Sequence, residues 1–317
     1  MAELSNQLMA LTVLGYLAAM VCYAAEYAFG TRSHIARAAT RELVGAGGPP
    51  LSTQDSLAID EPRSRGDLVG KVGVALNVLG LALHLGALVT RSVAAERMPW
   101  GNMYEFILSV SFVGSAVWLG VLWRRPAIRH LGLFVALAMV VLLGANGLIA
   151  YTPVGPLVPA LQSYWYVVHV STIILASGIL LFGAVPATLF LIKSGYDQGK
   201  TRFPYPLGRH VPAAETLERL TFRLHAFAFP LFTFGALIAG PLWAEASWGR
   251  YWGWDPKEVW AFISWVVYAA YLHARATPSV KRTTATWIAI IGFATMLMNL
   301  FGVNLFFEGL HSYANAG

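Results

Sequence analysis

Eight apolar stretches dominate this chain, near residues 7–29, 68–90, 104–123, 131–150, 165–192, 224–243, 259–275 and 285–307. About 20 apolar residues in a helix cross the roughly 30 Å hydrocarbon core of a bilayer. In lipid, every backbone N–H and C=O must find its partner within the segment, so stretches of this kind fold as helices. Of 317 residues, 57% are hydrophobic and 12% charged, whereas soluble domains carry about 25% charged residues. The expectation is an all-α integral membrane protein, one polytopic domain over residues 1–317 built as a bundle of about eight transmembrane helices. The first stretch lacks a basic leader and a small-residue cleavage site, so it reads as a retained helix.

Cytoplasmic loops of membrane proteins carry the excess of Lys and Arg. With both termini outside, the inner loops hold 18 of the 22 basic residues. The outer side keeps Arg91, Arg97, Arg250 and Lys257. That asymmetry selects eight spans with both ends on the outer side. Residues 30–67, with Gly45, Gly47, Gly48, Pro49 and Pro50, read as a flexible inner loop. Residues 194–221 read as a basic inner loop anchored against anionic lipid, and no nucleic-acid partner is expected. Glu26, inside the first stretch, reads as either a proton-path group or an interfacial end residue.

The outer segment 243–258 reads WAEASWGRYWGWDPKE. Trp243, Trp248, Trp252 and Trp254, interleaved with Gly249 and Gly253, exceed an ordinary interfacial aromatic belt and suit a large planar ligand. Asp255, Pro256 and Glu258 have the spacing of a capping box with proline at the first helical position. Asp255 therefore either only starts the next helix or adds a ligand role. Arg250 and Lys257 either face an anionic ligand group or are solvated charges.

Histidines supply the remaining chemistry. His169, near the outer end of the fifth stretch, and His311, just beyond the eighth, share the outer side with the Trp segment. Imidazole is a standard axial ligand of haem iron, and zinc would need a third ligand nearby. His84, His225 and His273 lie at membrane depth, where an ionisable group is either functional or hydrogen-bonded to a neighbouring helix. His34, His130 and His210 read as solvated. Cys22 is the only cysteine, so thiol chemistry must use a partner's cysteines.

The run Trp248-Gly249-Arg250-Tyr251-Trp252-Gly253-Trp254-Asp255-Pro256-Lys257-Glu258 resembles the WWD signature of haem-handling proteins, in the form of the CcsA (ResC) family. Pro99 to Glu105, Leu161 to His169 and Gly309 to Tyr313 resemble that family's other outer motifs, in order. The resemblance implies a haem-handling subunit of cytochrome c synthase, working with a CcsB (ResB) partner in System II maturation. It implies haem b presented on the outer face between His169 and His311 as axial ligands, with the Trp segment as platform. His273 matches a transmembrane haem ligand of the family, while His84 and His225 match no family position equally well. Thioether formation on the CxxCH motif of apocytochrome c follows, with thiol-reducing proteins serving the substrate. The expected location is the bacterial cytoplasmic membrane, ahead of the thylakoid. A haem exporter or chaperone without synthase activity, or a small-molecule secondary transporter, are the rival readings.

Overall fold

The computed structural model describes residues 1–29 and 65–311. The glycine- and proline-rich part of the 30–67 segment, His34, Ser312 and Tyr313 lie outside the described residues. Eight long helices follow in chain order: α1 (Ala2–Phe29), α2 (Arg65–Ala95), α3 (Met103–Arg124), α4 (Gly132–Ile149), α5 (Tyr164–Asp197), α6 (Ala214–Trp248), α7 (Pro256–Ala276) and α8 (Arg282–Phe306). No strand occurs among the described residues. All but α7 are long and apolar enough to cross a membrane. The stretch 259–275 does form a helix, and its 21 residues are a spanning length. Trp260, Ser264, Trp265, Tyr268, Tyr271, His273 and Arg275 make it less apolar than the others.

α5 is the central helix: 78% of its most apolar window is buried, against 28% for α1. It packs on α3, α6 and α8, while α7 pairs with α8 and α1 with α2. Small residues let these backbones approach, as they do between membrane helices generally. A Cβ on Gly15 of α1 would already lie 3.4 Å from the Cα of Gly80 in α2. Leu14, Val78, Val141, Phe227, Ile291 and Leu305 remain exposed, as side chains facing acyl chains do. The Asn6 amide donates to the Tyr151 hydroxyl at 3.0 Å, placing the start of α1 at the same end of the bundle as the α4–α5 connection.

Several boundaries differ from the sequence expectation. The 194–221 segment is largely helical: α5 runs to Asp197, a 3-10 turn covers Tyr205–His210, and α6 starts at Ala214. The Trp-rich segment is not wholly a loop, because α6 continues through Trp248. Residues 65–67 belong to α2. His130 and His210 are half-buried rather than solvated, with His210 edge-on to Tyr27 at 5.0 Å. Glu26 is explained by pairing: the Arg129 guanidinium donates to its carboxylate and to Asp67.

α6 and α8 each contain one π turn, Gly235–Ala239 and Met298–Gly302. Such turns insert one residue into an α-helix and occur often at functional sites.

Candidate functional site

Both π turns face one cavity at the end of the bundle that carries the α6–α7 connection. It encloses about 1140 Å³ of empty space including its mouth, and is lined by residues of α3, α5, α6, α7 and α8. His169, Trp243, Trp252, Lys257 and His311 all line it.

Two imidazoles meet around one indole. The His169 ring is stacked on Trp243, with centroids 5.4 Å apart and planes 12° from parallel. The His311 ring meets Trp243 edge-on at 5.3 Å and Trp248 edge-on at 5.0 Å. Trp243 is itself fixed, since its Nε1–H donates to the Ala160 carbonyl at 2.9 Å.

Each ring is oriented through Nδ1. His169 Nδ1–H donates to the Gly235 carbonyl at 2.8 Å, the same oxygen that accepts the Gly240 N–H across the π turn. His311 Nδ1–H donates to Asp255 Oδ1 at 2.7 Å. A hydrogen bond to a carbonyl or carboxylate assigns the proton to Nδ1 and leaves the lone pair on Nε2. That is the arrangement that prepares an imidazole to ligate a metal. Gly240 gives the ring room: a Cβ would lie 3.2 Å from it, and the His169 ring would have to shift by a few tenths of an ångström.

Asp255 does more than start α7. The capping box forms, with Asp255 accepting from Lys257 N–H at 3.2 Å and Glu258 accepting from Gly253 and Asp255 N–H. The second carboxylate oxygen of Asp255 accepts from Leu310 N–H at 2.6 Å. One side chain thus ties the N-terminus of α7 to the segment carrying His311. Burial would raise its carboxyl pKa, but the hydrogen bonds from His311, Lys257 and Leu310 outweigh it and hold the group below its usual 3.8. A depressed carboxylate contributes stability above its unfolded pKa and loses it as pH falls through the folded value. Asp255→Asn keeps the cap but turns charge-assisted hydrogen bonds into neutral ones, and should therefore lower stability by about 1 kcal/mol at neutral pH. The deficit should begin to shrink below about pH 4 and be lost as pH falls through the lower folded value, as thermal unfolding at a series of pH values would read. A deficit unchanged at acid pH would exclude the charge as its source.

The other Trp-segment residues divide. Trp252 lines the cavity, and its Nε1–H is buried without an acceptor, as is Arg250 Nη1. Arg250 lies with its guanidinium 6.0 Å from the Trp248 ring centre, seated on Gly253 where any Cβ would overlap it. Trp254 is exposed and holds a left-handed backbone at φ 58°, a strained conformation for a bulky residue. Trp248, Arg250, Trp254 and Asp255 surround the cavity without lining it.

The three deeper histidines are not part of this cavity. His84 is fully buried, with Nδ1 3.4 Å from the Tyr16 hydroxyl and its ring 5.6 Å from Phe112. His225 donates from Nδ1 to the Thr221 carbonyl at 2.8 Å and packs against Tyr268 and Tyr271. His273 is exposed in the last turn of α7.

Lys257, weighed in the sequence as a ligand contact or a solvated charge, is neither solvated nor paired with a carboxylate among the described residues: it lines the cavity. Lys257 Nζ–H donates to the Asn299 carbonyl in the second π turn at 3.0 Å and lies 3.4 Å from Met103 Sδ. Trp100 and Met103 come from the Pro99–Glu105 segment, whose place at the wall depends on Glu105. That carboxylate is fully buried and accepts from Arg91 Nε at 2.9 Å, Arg97 Nη1 at 2.6 Å and Gly101 N–H at 2.7 Å. The Tyr166 hydroxyl donates to the Trp100 carbonyl. No cluster of three or more His, Cys, Asp or Glu able to hold a metal ion occurs among the described residues.

Comparison with known proteins agrees with this geometry. The family described as Cytochrome C assembly protein matches residues 100–311, which include both outer histidines and the Trp segment. The cytochrome c biogenesis protein CcsA of Gloeobacter violaceus is 32% identical over 295 residues, covering 78% of this chain and 87% of its own. That of Guillardia theta is 33% identical over 264 residues, covering 77% and 85%. Among solved structures, the cytochrome c heme lyase CcmF matches with a TM-score of 0.62 at 17% identity, over 100% of this chain and 49% of its own. This chain thus spans about half the length of that protein, and the likeness shows a shared fold. On these matches, the chain belongs to the CcsA family of cytochrome c assembly proteins, multi-pass membrane proteins of cytochrome c biogenesis.

Proposed function

We propose that this protein holds haem at the outer face of the membrane for covalent attachment to apocytochrome c, together with a CcsB (ResB) type partner. The observation that carries the reading is the pair His169 and His311. Both touch Trp243, both line one cavity, and both have Nδ1 engaged so that the Nε2 lone pair is the ligating one.

Haem is the substrate. The donor set suits it: two imidazoles for iron, indole faces for the porphyrin plane, and the buried, unpartnered N–H of Trp252 at the cavity wall for a carboxylate. Each attachment adds a substrate thiol across a vinyl group. One C–S and one C–H bond form as the S–H bond and the vinyl π bond are lost, with no net oxidation. The cysteines belong to the apocytochrome. This chain's task is placement, the source of rate that orientation supplies. Asp255 keeps the His311 ring in place, and the Gly235 carbonyl does the same for His169. The bacterial cytoplasmic membrane is the proposed location.

The test is co-expression of this chain, its partner and an apocytochrome with a CxxCH motif, followed by denaturing electrophoresis stained for haem peroxidase activity. Haem comigrating with the apocytochrome is the expected result. Haem retained by the membrane complex, with none attached covalently, would reassign the protein as a carrier.

A further inference from the structure

A second cavity lies at the opposite end of the bundle, enclosing about 1230 Å³ with its mouth, between the end of α3, the turn after it and the start of α6. Arg124 and Arg125 end α3, whose first residues adjoin the haem site. Arg219 and Arg223 stand in the first turns of α6, whose last turns carry Trp243 and Trp248. The antiparallel run of both helices puts all four arginines on the inner side.

All four are exposed, and none pairs with a carboxylate among the described residues. Arg219 donates only to the Glu215 carbonyl, and Arg124 lies over the Trp123 ring. Below them the floor is apolar, built from Val121 of α3 and Leu220, Leu224 and Phe227 of α6. The cleft exists because both helices pack on α5 rather than on each other. Gly120 faces this open space, where a Cβ would meet nothing within 4 Å.

Four unpaired guanidiniums above an apolar channel match a ligand with an anionic head and hydrocarbon tails. Ordinary positive-inside charge explains basic residues at this depth, but not their convergence on one walled cleft. Its lining contains no His, Cys, Met or Tyr, so nothing there ligates iron, which separates this cleft from the haem site. We propose that the cleft binds an anionic phospholipid of the inner leaflet, its phosphate among Arg124, Arg125, Arg219 and Arg223 and its acyl chains along Val121, Leu220 and Phe227. Basic pockets between membrane helices on the cytoplasmic side bind such headgroups.

The test is native mass spectrometry of the full chain in neutral detergent, titrated with phosphatidylglycerol, cardiolipin or phosphatidylcholine. The wild type should retain the anionic lipids and not phosphatidylcholine. Arg124→Ala with Arg223→Ala should weaken retention by about tenfold to thirtyfold, and Gly120→Leu should do so without changing charge. Lys200→Ala with Arg202→Ala, an equal loss of charge at exposed inner positions outside the cleft, should retain lipid as the wild type does. Equal losses in the cleft and control variants, or equal retention of phosphatidylcholine, would overturn the site. So would displacement of the lipid by haem at equimolar concentration, which would reassign the cleft to haem.

Discussion

Alanine at His169 or at His311 should each abolish the six-coordinate haem spectrum of the purified protein and lower covalent attachment at least about tenfold to a hundredfold. The size of the effect follows from the geometry. His169 and His311 are the only imidazoles among the described lining residues, so no neighbour can substitute for either as ligand. Removing either also removes a ring packed on Trp243, at 5.4 Å for His169 and 5.3 Å for His311. Added imidazole separates the two losses: it should restore a six-coordinate spectrum if ligation was lost, and fail if the platform collapsed. Visible spectra of both variants, with and without imidazole, make the measurement. Wild-type spectra and full attachment in both variants would remove the axial-ligand assignment.

Glu105→Ala should cost about 3–5 kcal/mol of stability, the range for leaving a buried charge uncompensated. The substitution strands two guanidiniums, Arg91 at 1% exposure and Arg97 at 10%. It also releases the Gly101 N–H and unseats Trp100 and Met103 from the cavity wall. Arg97→Ala should cost less, because Glu105 then keeps Arg91 as a one-to-one partner at 2.9 Å. Thermal unfolding followed by fluorescence-detected size exclusion would rank the two. An Arg97→Ala loss equal to or above that of Glu105→Ala would show that the carboxylate is not the centre of the cluster.

How far the sequence foretold these features depends on the range of the interaction behind each. The apolar stretches became helices because lipid leaves the backbone no alternative, and the box at Asp255 formed because capping is local to four residues. The start of α6 was missed for the converse reason. Ala214–Arg223 is amphipathic rather than apolar, and helices of that kind owe their stability to tertiary packing. The fifth helix and Trp248 likewise extended past apolar limits into polar or aromatic sequence. Arg91 and Glu105 were legible only as separate residues of two stretches, since nothing local announces that a carboxylate will be shared. The outer histidines and tryptophans were singled out by residue type and side of the membrane. Their mutual contacts, and the reach of Asp255 to His311 across 56 positions, belong to the fold.

The π turn at Gly235–Ala239 also sets the phase of everything beyond it. One residue corresponds to about 100° of rotation about a helix axis. The outer end of α6 is therefore turned by that amount relative to an uninterrupted helix, and Trp243 and Trp248 take their facing toward His169 and His311 from the extra residue. A single-codon deletion there would rotate two indoles away from both imidazoles while leaving each of the four residues intact, so the reading frame of the helix is as much a part of the site as the side chains it presents.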